Sequence, residues 1–343
     1  MEATIADLFA RQARDCRDLG SPFTGRILDK LLDLTDPTSP LGLKLAQTGP
    51  RPEDALPLRL TGALHALART GDPDLAPVYP PNDPTDAALT AALSRTLSRE
   101  QARILPWLDR PPQTNEVARS AVLIATGHWL TRRFGLPLML SELGASAGLN
   151  LLWDNYSLVL PDRTLGPANP ALTLTPDWQG QPPVQAAPRI LTRAGVDLSP
   201  LHPVTDRDRL LAYVWPDQSL RLARCAAALD LAAGLRPTVD QADAATWARA
   251  RLMEPRPPSV HLIYHTIAAK YFSAETARRL GQVLAIAGQA ATPDRPLAHL
   301  SMEHDGPTPG AALTMTLWPG GETHVLGRAD FHGRWVTWQP PAP

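Results

Sequence analysis

The segment PLMLSELGASAGLNLLWDNY, residues 137–156, places an acid and a run of small residues directly after an apolar stretch. Residues 138–140 are continuously apolar, which predicts a strand buried on both faces. Glu142 follows at its predicted carboxyl end, and the small residues 144–148 precede a predicted helix over residues 149–156. Because glycine permits positive φ and lacks the Cβ that would block a ligand, this turn is predicted to bring a ligand close to the backbone.

The spacing of the glycines selects among cofactors. The dinucleotide fingerprint requires G-x-G-x-x-G, whereas three residues separate Gly144 from Gly148, and Ser146 stands where a middle glycine would be. The pattern E-x-G-x-x-x-G resembles motif I of the S-adenosylmethionine-dependent methyltransferases. The resemblance implies S-adenosylmethionine as the cofactor, with Glu142 near its methionine amino end and the turn, including Ala145, beneath it.

Polar side chains also follow the later predicted strands. They are Asp217 after residues 210–214, Asp243 after residues 238–239, His265 after residues 260–264 and Glu303 after residues 297–301. Ligands of open α/β sheets bind outside the carboxyl ends of the strands. This succession therefore predicts a polar crevice at one edge of the sheet.

The methyltransferase resemblance, which covers about residues 136–343, implies roles for these positions. Asp217 corresponds to the acid that binds the ribose hydroxyls after the second strand. Asp243 and Ala244 correspond to the residues beside adenine after the third strand. His265, after the fourth strand, is expected to orient or deprotonate the acceptor.

Five residues are candidates for binding a small-molecule acceptor: Asn115, Arg119, Asn155, Trp215 and Tyr271. Structural interpretations stand beside these roles. Arg119 also suits an exposed pair with Glu116 on a capped helix, and aromatic residues near strand ends are most often core residues. Asp217 and Asp243 also suit helix caps, and His265 also suits a hydrogen-bonded structural histidine.

The turn departs from the methyltransferase pattern in ways that leave other hypotheses open. About fifty extra residues precede Asp217, compared with the roughly twenty usual before the ribose-binding acid. The sequence G-A-S-A-G also resembles the nucleophile elbow of serine hydrolases. Ser146 would then be the nucleophile, with a base among His265, His299, His304 and His324. A third hypothesis is a non-catalytic cofactor-binding or scaffold protein.

Two other site types are disfavoured by the sequence. No Asn-Pro-Pro-Tyr or Asp-Pro-Pro-Tyr segment follows the predicted fourth strand, which argues against methylation of a nucleic-acid base. Glu303, His304 and Asp305, with His261 and His265, have a spacing that fits no established metal motif. We therefore predict no metal site.

The elements that must position these residues indicate an α/β fold. Strands alternating with helices predict a doubly wound, mainly parallel sheet with antiparallel C-terminal edge strands, preceded by a helical N-terminal region. We expect a helical region at 1–135 and a methyltransferase-like domain at 136–343, in which residues 157–208 form a β-rich insertion or lid. The segments ELGASAGLNL and WPDQ also resemble a bacterial family of unknown function, a resemblance that implies no activity.

Composition excludes several classes of protein. The 343 residues carry a net charge of −1, so no basic field is available for general nucleic-acid binding. The N-terminal segment lacks the apolar core of a secretory signal, and no apolar run is long enough to span a membrane. Two cysteines, Cys16 and Cys225, are too few for a disulfide framework. These features predict a cytoplasmic protein that acts on a small molecule.

Overall fold

The computed structural model describes residues 4–49 and 55–342. They fall into two compact units. Unit 1 is drawn from Met1–Thr114 and Thr205–Ala226, and unit 2 from Asn115–Val204 and Ala227–Pro343. Unit 2 thus begins before residue 135, and a later stretch of the chain belongs to unit 1.

The α-helices of the described residues are α1 (Ile5–Asp18), α2 (Pro22–Leu34), α3 (Pro40–Thr48), α4 (Leu56–Arg69), α5 (Asp86–Arg99), α6 (Gln101–Leu108), α7 (Ser120–Phe134), α8 (Arg207–Ala212), α9 (Ser219–Leu235), α10 (Ala244–Met253) and α11 (Ala274–Gln289). The strands are β1 (Leu138–Leu143), β2 (Tyr156–Val159), β3 (Thr164–Leu165), β4 (Leu172–Leu174), β5 (Asp177–Gln179), β6 (Ile190–Asp197), β7 (Val239–Gln241), β8 (Val260–Thr266), β9 (Leu297–Glu303), β10 (Ala311–Trp318), β11 (Glu322–Ala329) and β12 (Trp335–Trp338).

Unit 1 is helical, as the N-terminal sequence predicts. Three of its helices begin at hydroxyl caps: Thr4 and Asp7 form a reciprocal capping box at α1, and Ser39 and Thr85 cap α3 and α5. Apolar faces at helical spacing then meet in one core that includes Phe9, Ile27, Leu64 and Leu93.

The predicted strand at residues 210–214 is wrong, because these residues belong to α8 and the turn after it. His65 Nδ1 lies 3.0 Å from the Ala212 carbonyl oxygen, and the Tyr213 ring occupies the space where Gly62 lacks a Cβ. A short buried apolar run has no periodicity that distinguishes a strand from a buried helix. Packing against α4 selects the helix here.

Unit 2 contains a nine-stranded sheet in the order β5-β12-β11-β10-β9-β8-β1-β6-β7. The five strands β7, β6, β1, β8 and β9 at one end of the sheet are mutually parallel, and β10, β11 and β12 continue the sheet in antiparallel pairs. The predicted α/β class, mainly parallel sheet and antiparallel C-terminal strands are thereby confirmed.

The segment between the glycine turn and unit 1's later stretch is β-rich, but it does more than form an insertion. Its strands β2, β3 and β4 make a separate three-stranded sheet. Its last strand, β6, pairs with β1 along six residues and so lies between β1 and β7 in the main sheet. Residues 190–197 therefore supply the strand that the sequence reading sought at residues 210–214.

Within the described part of the chain, no helix combines the length and the apolar character needed to cross a bilayer.

Candidate functional site

The parallel part of the sheet changes its winding direction between β1 and β8. Taken in chain order, β1, β6, β7, β8 and β9 lie in the spatial order third, second, first, fourth, fifth. At such a switch point, open α/β sheets bind ligands outside the carboxyl ends of the strands. Glu142 and His265 stand near these two ends.

The glycine turn after β1 requires its small residues. Gly144, Ser146 and Gly148 all have positive φ, at 73°, 52° and 72°. A Cβ on Gly144 would lie 2.5 Å from the Ala268 Cβ, so the turn packs directly on the loop after β8. The predicted helix beyond the turn is instead a 3₁₀ helix, Leu149–Asn155.

The N–H groups of the turn donate to the protein itself. The N–H groups of Gly144 and Ala145 both donate to the Val196 carbonyl oxygen, at 2.9 and 3.0 Å. Ser146 N–H donates to Asp197 Oδ2 at 2.9 Å, and Gly148 N–H donates to the Ala145 carbonyl oxygen at 2.7 Å. Phosphate cradles depend on N–H groups that point to the ligand. With these donors engaged, the turn is unsuited to a pyrophosphate.

Asn115 stabilises the far end of this turn, because its Oδ1 accepts the N–H of Leu149 at 2.9 Å. Nearby, Asn150 Oδ1 accepts the Ser120 hydroxyl, and Asn150 Nδ2 donates to the Glu116 carbonyl oxygen. The polar start of the helical segment before β1 thus supports the glycine turn.

Glu142 is a buried carboxyl group whose hydrogen bonding is incomplete. Its residue is only 2% exposed, and among the described residues no group lies within hydrogen-bonding distance of Oε2. Burial raises the pKa of Glu142 well above its ordinary value, and the charge of Asp197 raises it further, while Arg119 partly offsets both. A buried polar atom without a partner is costly and is often explained by a functional role.

Asp197, at the carboxyl end of β6, is the acid that the sequence reading missed. Its Oδ2 accepts the Ser146 N–H and its Oδ1 accepts the Ser199 N–H, each at 2.9 Å. The sequence pattern that indicates this strand is the alternation through Ile190, Thr192, Ala194 and Val196, which suits a strand that ends in an acid.

Asp243 lies after β7, as predicted, and also caps α10. Its Oδ1 accepts the N–H and hydroxyl of Thr246, both at 2.9 Å, and its Oδ2 accepts the Thr276 hydroxyl at 2.6 Å. Burial alone would raise the pKa of Asp243, but the hydrogen bonds from Thr276 and Thr246 lower it on balance. Ala244 is the buried first residue of α10.

His265 and Glu303 come together at the ends of the neighbouring strands β8 and β9. His265 Nδ1 lies 2.7 Å from Glu303 Oε1. Burial would raise the pKa of Glu303, but its hydrogen bonds from His265, Ala269 and Ala268 lower it. The sequence placed both residues at strand ends, but the direct contact depends on the pairing of β8 with β9.

The candidate acceptor-binding residues of unit 2 occupy different settings. Arg119 donates from Nη1 to the Thr266 carbonyl oxygen and from Nε to the Phe331 carbonyl oxygen, each at 2.9 Å. Asn155 Nδ2 donates to the Leu152 carbonyl oxygen and to its neighbour Asp154. Tyr271 is 60% exposed, and Lys270 Nζ lies 4.8 Å from its ring centroid.

Asp217 and Trp215 belong to unit 1 and follow α8 rather than a strand, which corrects the strand-end position predicted for Asp217. Asp217 accepts the Ser21 hydroxyl and, at 2.9 Å, the N–H of Phe23 at the start of α2. Trp215 packs against the guanidinium of Arg221, 5.7 Å from the ring centroid. These contacts give Asp217 the role of a helix cap.

Ser146 has the backbone of a strained turn but lacks a triad in the described residues. Its Oγ is buried and is hydrogen-bonded to no described residue. Within residues 4–49 and 55–342, no three His, Cys, Asp or Glu side chains are grouped as metal ligands.

The chain belongs to the bacterial family described as "Uncharacterized protein conserved in bacteria (DUF2332)", whose profile matches residues 6–338. No curated protein and no solved structure matches the chain. The geometry and charges of the site are therefore what indicate its function.

Proposed function

We propose that this member of the family binds S-adenosylmethionine at the carboxyl ends of β1, β6 and β7 and transfers its methyl group to a small-molecule acceptor. The observation that carries the proposal is the pair Glu142 and Asp197 beside a turn in which the N–H groups of Gly144, Ala145, Ser146 and Gly148 are already engaged. Such a site favours a ligand with positive charge and hydroxyl groups over a phosphate. The ammonium, sulfonium and ribose of S-adenosylmethionine meet that requirement.

Each strand end has a role in this proposal. Glu142 would receive the amino end of the cofactor, which supplies the donor that its buried Oε2 lacks. The backbone of Gly144, Ala145, Ser146 and Gly148 would form the wall beneath the cofactor. Asp197 takes the ribose role that the sequence assigned to Asp217, because β6 rather than residues 210–214 is the strand beside β1.

The adenine end lies farther along the same edge. Asp243 and Ala244, after β7, would be next to the base. Since the Asp243 carboxylate is engaged by Thr246 and Thr276, the backbone of this segment is the better source of adenine contacts. The acceptor would then approach from the β8 side, where His265 stands. Methyl transfer depends chiefly on in-line positioning of the two reacting atoms.

Calorimetric titration of the full chain with S-adenosylmethionine tests this proposal. We expect binding by the wild type and a loss of affinity of about tenfold or more in Asp197→Ala, because a hydrogen bond to a charged group is removed. Asp217→Ala is the matched control, since its carboxylate caps α2 in unit 1, and its affinity should be unchanged. A folded wild type that gives no binding heat and no displacement of a labelled cofactor would contradict the proposal.

A serine hydrolase is the second candidate, favoured by the φ of 52° at Ser146 on a strand-to-turn junction. The missing partner of its Oγ counts against it, since a serine nucleophile is activated by an adjacent base. Labelling by a fluorophosphonate probe that disappears in Ser146→Ala would support hydrolysis. An unlabelled, folded wild type would exclude it.

Two further parts of the proposal concern context. Cofactor binding without transfer to any acceptor of a broad hydroxyl and amine panel would favour a sensor or scaffold.

We place the protein in the cytoplasm, because its buried thiols Cys16 and Cys225 suit a reducing compartment. Fractionation of cells that express the full chain measures this directly.

A further inference from the structure

Glu303 is the centre of a hydrogen-bonded group at the end of β9. Its Oε1 accepts three bonds, from His265 Nδ1 at 2.7 Å, from Ala268 N–H at 2.9 Å and from Ala269 N–H at 3.1 Å. The carboxylate therefore fixes both an imidazole ring and the loop that follows it. Such charge-assisted bonds are stronger than bonds between neutral groups.

The loop after β8 is held from several directions. Ile267 adopts a φ of 54°, which is uncommon for a branched side chain. Its N–H donates to the Met302 carbonyl oxygen at 2.8 Å, and Arg119 donates to the Thr266 carbonyl oxygen. This bend directs the next two N–H groups to Glu303. Backbone strain of this kind persists only where the surroundings enforce it.

The same loop contacts the glycine turn. Ala268 Cβ lies against Gly144, where an added Cβ would approach to 2.5 Å. Glu303 consequently holds a residue that touches the proposed cofactor site as well as the ring of His265. The group formed by Glu303, His265 and Ala268 is thus positioned beside the methyl-transfer end of the proposed site.

The contact to Glu303 determines which nitrogen of His265 is available. Because the carboxylate accepts from Nδ1, the proton of the neutral ring lies on Nδ1 and the lone pair on Nε2. Among the described residues, no hydrogen-bond partner engages Nε2. The neighbouring His299 ring, 5.2 Å away, has its pKa lowered to about 3 by burial and by His265, so it adds no positive charge there.

We infer that His265 is the base that removes a proton from the methyl acceptor through Nε2, with Glu303 as the residue that positions it. This inference rests on the proposed function. It assigns the acceptor to the class of small molecules whose reacting oxygen or nitrogen carries a hydrogen, such as hydroxyl compounds and primary or secondary amines. Thioethers and tertiary amines, which have no such proton, fall outside the class.

In the methyl transfer, each bond that forms is matched by a bond that breaks. A lone pair of the acceptor oxygen or nitrogen forms the new bond to the methyl carbon. The electron pair of the breaking carbon–sulfur bond returns to sulfur, which becomes a neutral thioether. The acceptor proton moves to His265 Nε2 and leaves the imidazolium for solvent after product release. The Glu303 carboxylate stabilises the imidazolium while it exists.

Acylation of the histidines of the full chain by diethyl pyrocarbonate, followed by peptide mass spectrometry, tests the inference. The reagent attacks a neutral imidazole nitrogen that has a lone pair. In Glu303→Gln, we expect the rate at His265 to fall about tenfold relative to the exposed His202, since a charge-assisted bond is lost and the amide can donate to Nδ1. Asp305→Asn is the matched control, because Asp305 pairs with Arg328 instead.

Two further arms separate this inference from the proposed function. Saturating S-adenosylmethionine should leave His265 open to acylation, because Nε2 must remain accessible to the acceptor while the cofactor is bound. His265→Gln should bind S-adenosylmethionine within about twofold of the wild type, as expected for a residue outside the cofactor contacts. This variant also serves if Glu303→Gln does not fold.

The outcomes are distinct. An unchanged His265 rate in folded Glu303→Gln overturns the positioning role. Calorimetric binding of S-adenosylmethionine that blocks acylation of His265 overturns the role of His265 as the base, while the cofactor proposal stands. Absence of calorimetric binding overturns the proposed function and, with it, this inference.

Discussion

Unit 1 and unit 2 each bury a carboxyl group, and the two groups differ in how they are satisfied. Asp72, in unit 1, is 5% exposed and accepts bonds from Leu75 N–H at 3.0 Å and Asp74 N–H at 3.1 Å, and from Arg99 at 2.6 Å. Glu142, in unit 2, is equally buried, but its Oε2 has no donor among the described residues. The two acids therefore share burial and differ in their hydrogen bonding.

The difference has an energetic meaning. The surroundings of Asp72 repay the desolvation of a carboxylate, so this acid supports the fold of unit 1. The surroundings of Glu142 do not, since Asp197 adds repulsion and Arg119 offsets it only in part. Unit 2 therefore retains a group that destabilises it when ionised. A ligand with a positive charge would remove that cost, and this is the basis of the proposed site.

The largest expected effect is on stability in unit 1. Asp72→Ala should lower the free energy of unfolding by about 3 kcal/mol, because it leaves buried N–H groups and the Arg99 guanidinium without their acceptor. Urea denaturation measures this change. Affinity for S-adenosylmethionine should stay unchanged at temperatures where the variant is folded. A loss below about 1 kcal/mol would show that the Asp72 network is not structural in the sense argued here.

Glu142→Gln should have the opposite effect, with weaker cofactor binding and no loss of stability. We expect affinity for S-adenosylmethionine to fall by about 2 kcal/mol, roughly thirtyfold, because the charged acceptor for the cofactor's ammonium is lost. Stability at neutral pH should be unchanged or higher, since the neutral amide avoids the cost of a buried charge. Calorimetry and urea denaturation of the same preparation give both values. Lower stability with unchanged affinity would show that Glu142 is a structural acid, as Asp72 is.

The pH dependence of stability provides a smaller test. The folded-state pKa of Glu142 is raised, so above the unfolded-state pKa near 4.5 the folded protein retains a proton that the unfolded chain has lost. Stability from this group is therefore full at low pH and falls as pH rises towards the folded-state pKa, by at most about 1.4 kcal/mol for each pH unit.

Subtracting the urea-denaturation profile of Glu142→Gln from that of the wild type isolates this contribution. The free energy of unfolding of the wild type should fall relative to that of Glu142→Gln as pH rises from 4.5. Parallel profiles for the two proteins would contradict the raised pKa.

The smallest effect concerns the acid whose predicted position changed. Asp217→Ala should cost about 1 kcal/mol of stability, because the Ser21 hydroxyl and the Phe23 N–H at the start of α2 lose their acceptor. Thermal unfolding measures this loss, with Asp230→Ala as a substitution within α9 for comparison. Weakened binding of S-adenosylmethionine in Asp217→Ala would restore the ribose role to this residue.

Local patterns predicted much of unit 2 because their physics is local. The apolar run before Glu142 and the small residues after it each act within a few residues of chain, and β1 and the glycine turn lie where these patterns indicate. The positions of Asp243 after β7 and His265 near the end of β8 follow from the same strand signals.

The choice of which segment pairs with β1 was not predictable from local patterns. The sequence predicted a strand at residues 210–214 and placed residues 190–197 in a β-rich insertion, and it contains nothing local that states which segment pairs with β1. The apolar run fits α8 because it packs against α4, and the alternating segment enters the sheet as β6. The ribose candidate consequently moved from Asp217 to Asp197, although each acid ends an apolar stretch.

The sequence by itself determined the α/β class, the glycine turn and the acid before it, since hydrophobic period and glycine backbone freedom operate over neighbouring residues. Only the tertiary structure decided that Asp197 joins Glu142, that Glu303 holds His265, and that Asp217 caps a helix in unit 1. These contacts join residues tens to nearly two hundred positions apart. They follow from strand pairing and burial across the whole unit, where many local patterns compete for the same partner.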